Sequence, residues 1–150
     1  MIVNQKIIEQ LFDPPNPIGN FKNYQKAGNY IYISGQGPFD DNGKLIIGKI
    51  GEHFDVIEGY DIARRVGLTI LSVLHENFSL DKIDRVIKLT GFINSVSKFT
   101  EHPKVMNGCS ELMHECFGEN GVHSRSTVGV FTLPNNIPVE IGRASCRERV

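Results

Sequence analysis

Three polar side chains alternate along one short segment of this 150-residue chain: His123, Arg125 and Thr127, within HSRSTVGV (His123–Val130). Successive residues of an extended strand point to opposite faces, so a spacing of two puts all three on one side. A guanidinium offers a rigid planar fork of donors that matches a carboxylate, which the point charge of lysine does not. Arginine stays charged, so it can anchor a ligand but not shuttle protons. A neighbouring imidazole could move a proton or select a substrate; a structural or solvated histidine is the alternative reading of His123. Glu140 supplies a carboxylate that could orient or deprotonate a water. Ser34, Gly35 and Gln36 close an apolar run, and a glycine there, lacking Cβ, lets backbone N–H groups approach a ligand oxygen. A plain strand end is the alternative.

Other chemistries lack their residues. His53, His75, His102 and His114 show no metal-ligand spacing with Cys or Asp, so neither metal nor cofactor is expected. GQGP (Gly35–Pro38) and GKIGE (Gly48–Glu52) lack the phosphate-loop pattern, and no nucleophile–base motif stands out. Cys109, Cys116 and Cys146 have no paired spacing; they read as buried thiols rather than a disulfide framework. Sixteen basic residues face 17 acidic ones, for a net charge of −1. No basic cluster lies outside the extreme C-terminus, which argues against a nucleic-acid surface. With no 18-residue apolar run and no basic-then-apolar leader, a cytoplasmic protein off the membrane is expected.

Residues Ile141–Val150 (IGRASCRERV) match a translation of a widely used sequencing-adapter DNA. They are expected to be a non-native tail, leaving a single domain at 1–140.

The elements that must carry these residues follow from periodicity. Asn29–Gly35 reads as a strand, Asp40–Gly43 as a hairpin turn because Asn-Gly suits the positive φ of a type I′ turn, and Lys44–Gly48 as the return strand. Glu58–Asn77 has helical period, with Ile62, Ala63, Val66, Ile70, Val73 and Leu74 on one stripe. Asp84–Asn94 is a strand. Pro103 opens a second helix running to about Phe117, with Val105, Cys109, Leu112, Met113 and Cys116 on its stripe. His123–Thr132 and the segment from Pro138 are strands. The order ββαβαββ predicts an α+β two-layer domain with two helices on one face of a mixed sheet. The other face then needs cover from another subunit.

The chain resembles the Rid, or YjgF-like, family through YISGQGP (Tyr32–Pro38), VIKLTGFINS (Val86–Ser95), HSRSTVGV and LPNNIPVE (Leu133–Glu140). GKIGE and FGENGVHSRSTVG resemble a longer, less characterised branch. The resemblance implies a chorismate-mutase-like fold with a six-stranded sheet. It also implies a homotrimer with clefts between subunits, and hydrolysis of 2-imino acids to 2-oxo acids and ammonia. It implies Arg125 and Glu140 as the catalytic pair, with Tyr24, Ser34, Gly35, Gln36, Asn107, His123 and Thr127 lining the substrate. Archetypal members carry Cys two residues after the arginine, where this chain has Thr127. A non-catalytic trimer that binds or senses small carboxylates is the competing reading. Ribonuclease activity, also proposed for the wider family, sits poorly with the acidic charge.

Overall fold

The computed structural model describes residues 3–148. A short helix α1 (Gln5–Ile8) precedes a hairpin of β1 (Tyr24–Ala27) and β2 (Tyr30–Ile33). Then come α2 (Val56–Phe78), β3 (Ile83–Asn94), α3 (His102–Phe117), β4 (Ser124–Val130) and β5 (Val139–Glu148). The sheet order is β1-β2-β5-β3-β4, with β3 and β4 parallel and all other pairs antiparallel. The fold is the α+β two-layer, chorismate-mutase-like one, and the order ββαβαββ holds.

Its details differ from expectation in two ways. Six strands were expected, and the described residues form five. The first hairpin turns at Gly28-Asn29 rather than at Asn42-Gly43: Ala27 pairs with Tyr30, and Gly28 takes the positive φ (60°) that such a turn requires. Asp40–Gly43 does form a turn, held by Asp40 Oδ1 accepting from the amides of Asn42 (2.8 Å) and Lys44 (2.9 Å). The chain after it makes only a single Phe39–Leu45 bridge, so Lys44–Gly48 is not a sheet strand.

Helix α2 starts at a capping box in which Asp55 and Glu58 satisfy each other's backbone amides. Its apolar stripe packs on α3 and on the inner face of the sheet, where Ile31, Ile33, Leu89, Ile93, Val139 and Ile141 are all buried. The outer face lacks helical cover: Tyr32 and Val128 are each 47% exposed. Strand β5 lies between β2 and β3, so the expected domain limit at residue 140 falls inside a paired strand. Strand pairing uses backbone groups and is silent on where residues 141–148 originate; residues 149–150 of that expected tail lie outside the described residues.

Candidate functional site

Register assigns the candidate residues to faces. Leu89 pairs with Arg125 and Gly91 with Thr127, and Leu89 and Gly91 are buried against the helices. Arg125 and Thr127 therefore share the helical side of edge strand β4, and the spacing of His123 holds it on that side too. The Arg125 guanidinium donates from Nη1 to Ser110 Oγ (3.0 Å) and from Nη2 to the Pro103 carbonyl (3.3 Å), both on α3. Pro103, Asn107 and Ser110 fall on one helical stripe, so Asn107 sits between the two residues that hold Arg125. No carboxylate pairs with Arg125 among the described residues.

His123 extends this cluster. Its Nε2 lies 2.9 Å from Ser110 Oγ and its Nδ1 lies 2.6 Å from the Gly121 carbonyl oxygen. Burial, helped by the Arg125 charge, holds the imidazole below its ordinary value; the Gly121 bond opposes this. Thr127 Oγ1 is buried with no hydrogen-bond partner among the described residues. A buried hydroxyl without a partner costs free energy, so this one suits a ligand or water.

The remaining candidates lie elsewhere. Glu140 pairs with Phe92, one residue out of phase with Gly91, so it points to the outer face. Its side chain lies over Gly35: a Cβ there would come within 3.0 Å of Glu140 Cδ, so any larger residue would have to push the carboxylate aside. Burial raises the Glu140 pKa, and the carboxylate has no partner among the described residues. The Ser34 hydroxyl donates to the Lys22 carbonyl. Gln36 exchanges backbone bonds with Ile141 (2.9 and 3.1 Å) and donates its side-chain amide to the Ser34 carbonyl (3.2 Å). Tyr24 pairs with inward-facing Ile33, and its ring meets Phe78 edge-on at 4.9 Å, so it packs on the core side rather than beside Glu140. Tyr24 and Ser34 line a shallow groove of about 590 Å³.

Two half-sites result, one around Arg125 and one around Glu140. Strands β5 and β4 are separated by β3, which puts them roughly 10 Å apart, and the two side chains point to opposite faces. A larger hollow of about 800 Å³ lies between the N-terminal segment and α2 and contains none of these residues. Its Arg64 and Arg65 are already paired with Glu115 and Asp41.

Sequence spacing missed Ser110, because its link to His123 and Arg125 depends on α3 crossing β4. Among the described residues no group of His, Cys, Asp and Glu could hold a metal ion. No helix of the described residues is long and apolar enough to cross a membrane. Cys109 and Cys116 are buried, and burial pushes both thiols up to about 12; the side chain of Cys146 lies outside the described residues.

A mixed five-stranded sheet backed by two helices on one face defines a chorismate-mutase-like domain, with an arginine that has no ion-pair partner among the described residues on its edge strand. The chain belongs to the YjgF (Rid) family, whose description reads "YjgF/chorismate mutase-like, putative endoribonuclease" and which matches residues 9–140. Protein TCP17 of Trypanosoma cruzi is 39% identical over 127 residues, 83% of this chain and 79% of that one. A 2-iminobutanoate/2-iminopropanoate deaminase of Dermatophagoides farinae is 30% identical over 128 residues, 85% of each chain. Among solved structures, Atu1372 of Agrobacterium tumefaciens, of unknown function, superposes with a TM-score of 0.86 at 37% identity. That match covers 97% of this chain and 91% of that one.

Proposed function

We propose that this protein hydrolyses 2-imino acids to 2-oxo acids and ammonia, in clefts between the subunits of a homotrimer. The observation that carries the reading is Arg125: a partly buried guanidinium oriented by Ser110 and Pro103, with no counter-ion among the described residues. A buried charge needs a partner, and the carboxylate of a small acid supplies one in matching planar geometry. Glu140, with its pKa raised by burial, suits a base that takes the proton of an attacking water. The opposite facing of the two half-sites is resolved when Glu140 comes from one subunit and Arg125 from its neighbour. The uncovered outer face, with Tyr32 and Val128 half-exposed, supports such packing. The deaminase name of the mite relative agrees with this chemistry.

The test is ammonia and 2-oxo acid release from a 2-imino acid generated in situ, compared between wild type and Arg125→Ala. Acceleration lost in the variant supports the reading, and no acceleration of any 2-imino acid sinks it. The competing reading, a carboxylate-binding trimer without turnover, is favoured by Thr127 standing where archetypal members carry Cys. It requires saturable 2-oxo acid binding that depends on Arg125, with no product formed.

A further inference from the structure

The hydrogen bonds around Ser110 have a fixed direction. A carbonyl oxygen only accepts, so the 2.6 Å contact with Gly121 assigns the proton to His123 Nδ1. In the neutral ring Nε2 is then an acceptor. The groups facing the ring are the Gly121 carbonyl from the turn after α3, Ser110 from α3, and the Arg125 charge from β4. Arg125 Nη1 can only donate, so it donates a hydrogen bond to Ser110 Oγ (3.0 Å), and the Ser110 hydroxyl in turn donates to His123 Nε2 (2.9 Å). The chain Arg125 → Ser110 → His123 → Gly121 thus leaves Ser110 Oγ poised to accept a proton from the ligand side as it passes its own to the imidazole. A hydroxyl bonded to a base that is itself oriented by a third group is the arrangement of acid–base catalysis.

Hydrolysis of a C=N bond needs such a group. Water adds to the carbon, its oxygen losing a proton and the imine nitrogen gaining one, which gives a neutral carbinolamine. The carbinolamine hydroxyl must then lose its proton as C=O forms, and the nitrogen must gain one as the C–N bond breaks and ammonia leaves. The Thr127 hydroxyl has no base behind it among the described residues, and the neighbouring subunit's Glu140 is already engaged by the proton of the attacking water in the first step.

We infer that Ser110 and His123 form the proton relay for this second step, Ser110 touching the intermediate held on Arg125 and His123 serving as the base behind it. The relay rests on the deaminase reading. Ser110 Oγ takes the hydroxyl proton as its own passes to His123 Nε2, and the return transfer delivers a proton to the departing nitrogen. No net charge is left on the protein.

The experiment measures kcat and KM against pH for wild type, Ser110→Ala, Ser110→Thr, His123→Gln and Arg125→Ala, with circular dichroism and sedimentation confirming fold and assembly. Loss of positioned acid–base catalysis should lower kcat roughly a hundredfold in Ser110→Ala and His123→Gln, with KM little changed. Ser110→Thr, which keeps the hydroxyl, should retain most of the rate. The acid limb of the wild-type kcat profile should lie below the ordinary imidazole range and disappear in His123→Gln. If both variants keep wild-type kcat and the acid limb while Arg125→Ala is inactive, the relay is wrong and the deaminase reading stands. If they raise KM alone, Ser110 and His123 merely hold Arg125, and the relay is again overturned. If the wild type turns over no 2-imino acid, both ideas fall.

Discussion

At the scale of single residues, Arg125 carries the most testable chemistry. Hydrogen bonds to charged groups contribute about 1.5–3 kcal/mol each, so losing the two of a bidentate fork in Arg125→Ala should cost roughly a hundred- to ten-thousandfold in kcat/KM and leave the variant effectively inactive. Arg125→Lys should restore little, because a point charge does not reproduce the fork that Ser110 and Pro103 orient. Glu140 makes a pH prediction whose sign is fixed. Burial raises its folded-state pKa above the unfolded value, so the folded protein binds more protons and its stability falls as pH rises through the window above the ordinary carboxylate range. Glu140→Gln removes that penalty. Its melting temperature should exceed wild type at neutral pH, with the gap closing on acidification, as scanning calorimetry at the two pH values would read. The common face of His123, Arg125 and Thr127 was legible from a spacing of two alone. Ser110 was not, because it lies off the apolar stripe of α3 and meets His123 only where helix and strand cross. The setting of Tyr24, named through the family resemblance, was not legible either: pairing with Ile33 turns its ring toward Phe78.

At the scale of elements, the long periodic segments were the most readable, since burial enforces their pattern. Helices α2 and α3 and strand β3 lie within two residues of the limits their stripes predict. The first hairpin was misread because YQKA of β1 is polar and exposed, offering no alternation, whereas Asn42-Gly43 carries turn chemistry without strands to join. The close approach of α2 and α3 was also invisible. It rests on Gly108, where a Cβ would lie 1.9 Å from the Tyr60 carbonyl oxygen. Backbone there cannot yield cheaply, so Gly108→Ala should destabilise by about 2–3 kcal/mol, at the upper end of overpacking costs. Gly91→Ala should cost less, because the atom met is the flexible Met106 thioether. Urea midpoints of the two variants would rank them, and equal midpoints would contradict this account of the helix crossing.

At the scale of the whole molecule, the two half-sites make a demand on assembly. In the proposed cyclic trimer each cleft would take Arg125 from one subunit and Glu140 from the next. Arg125→Ala and Glu140→Gln should each be inactive alone. When the two are unfolded and refolded together, about a quarter of the clefts regain both residues by random assortment around the ring. Recovery of activity in the mixture would support shared clefts; none, with mixed trimers verified by mass, would place the whole site in one chain. An overlapping clone whose native frame runs through GRASCRERV would refute the reading of residues 141–150 as foreign. The position of β5 also bears on synthesis. As the chain leaves the ribosome, β1 and β2 emerge first and wait as a lone hairpin, a form only marginally stable in water. The strand that joins them to β3 is the latest of the five to be made. Until it inserts, β3 presents an unpaired edge, the feature that draws nascent chains into aggregates. Arrest or truncation before Val139 should therefore leave two unjoined parts, recognisable by rapid proteolysis of the β1–β2 segment.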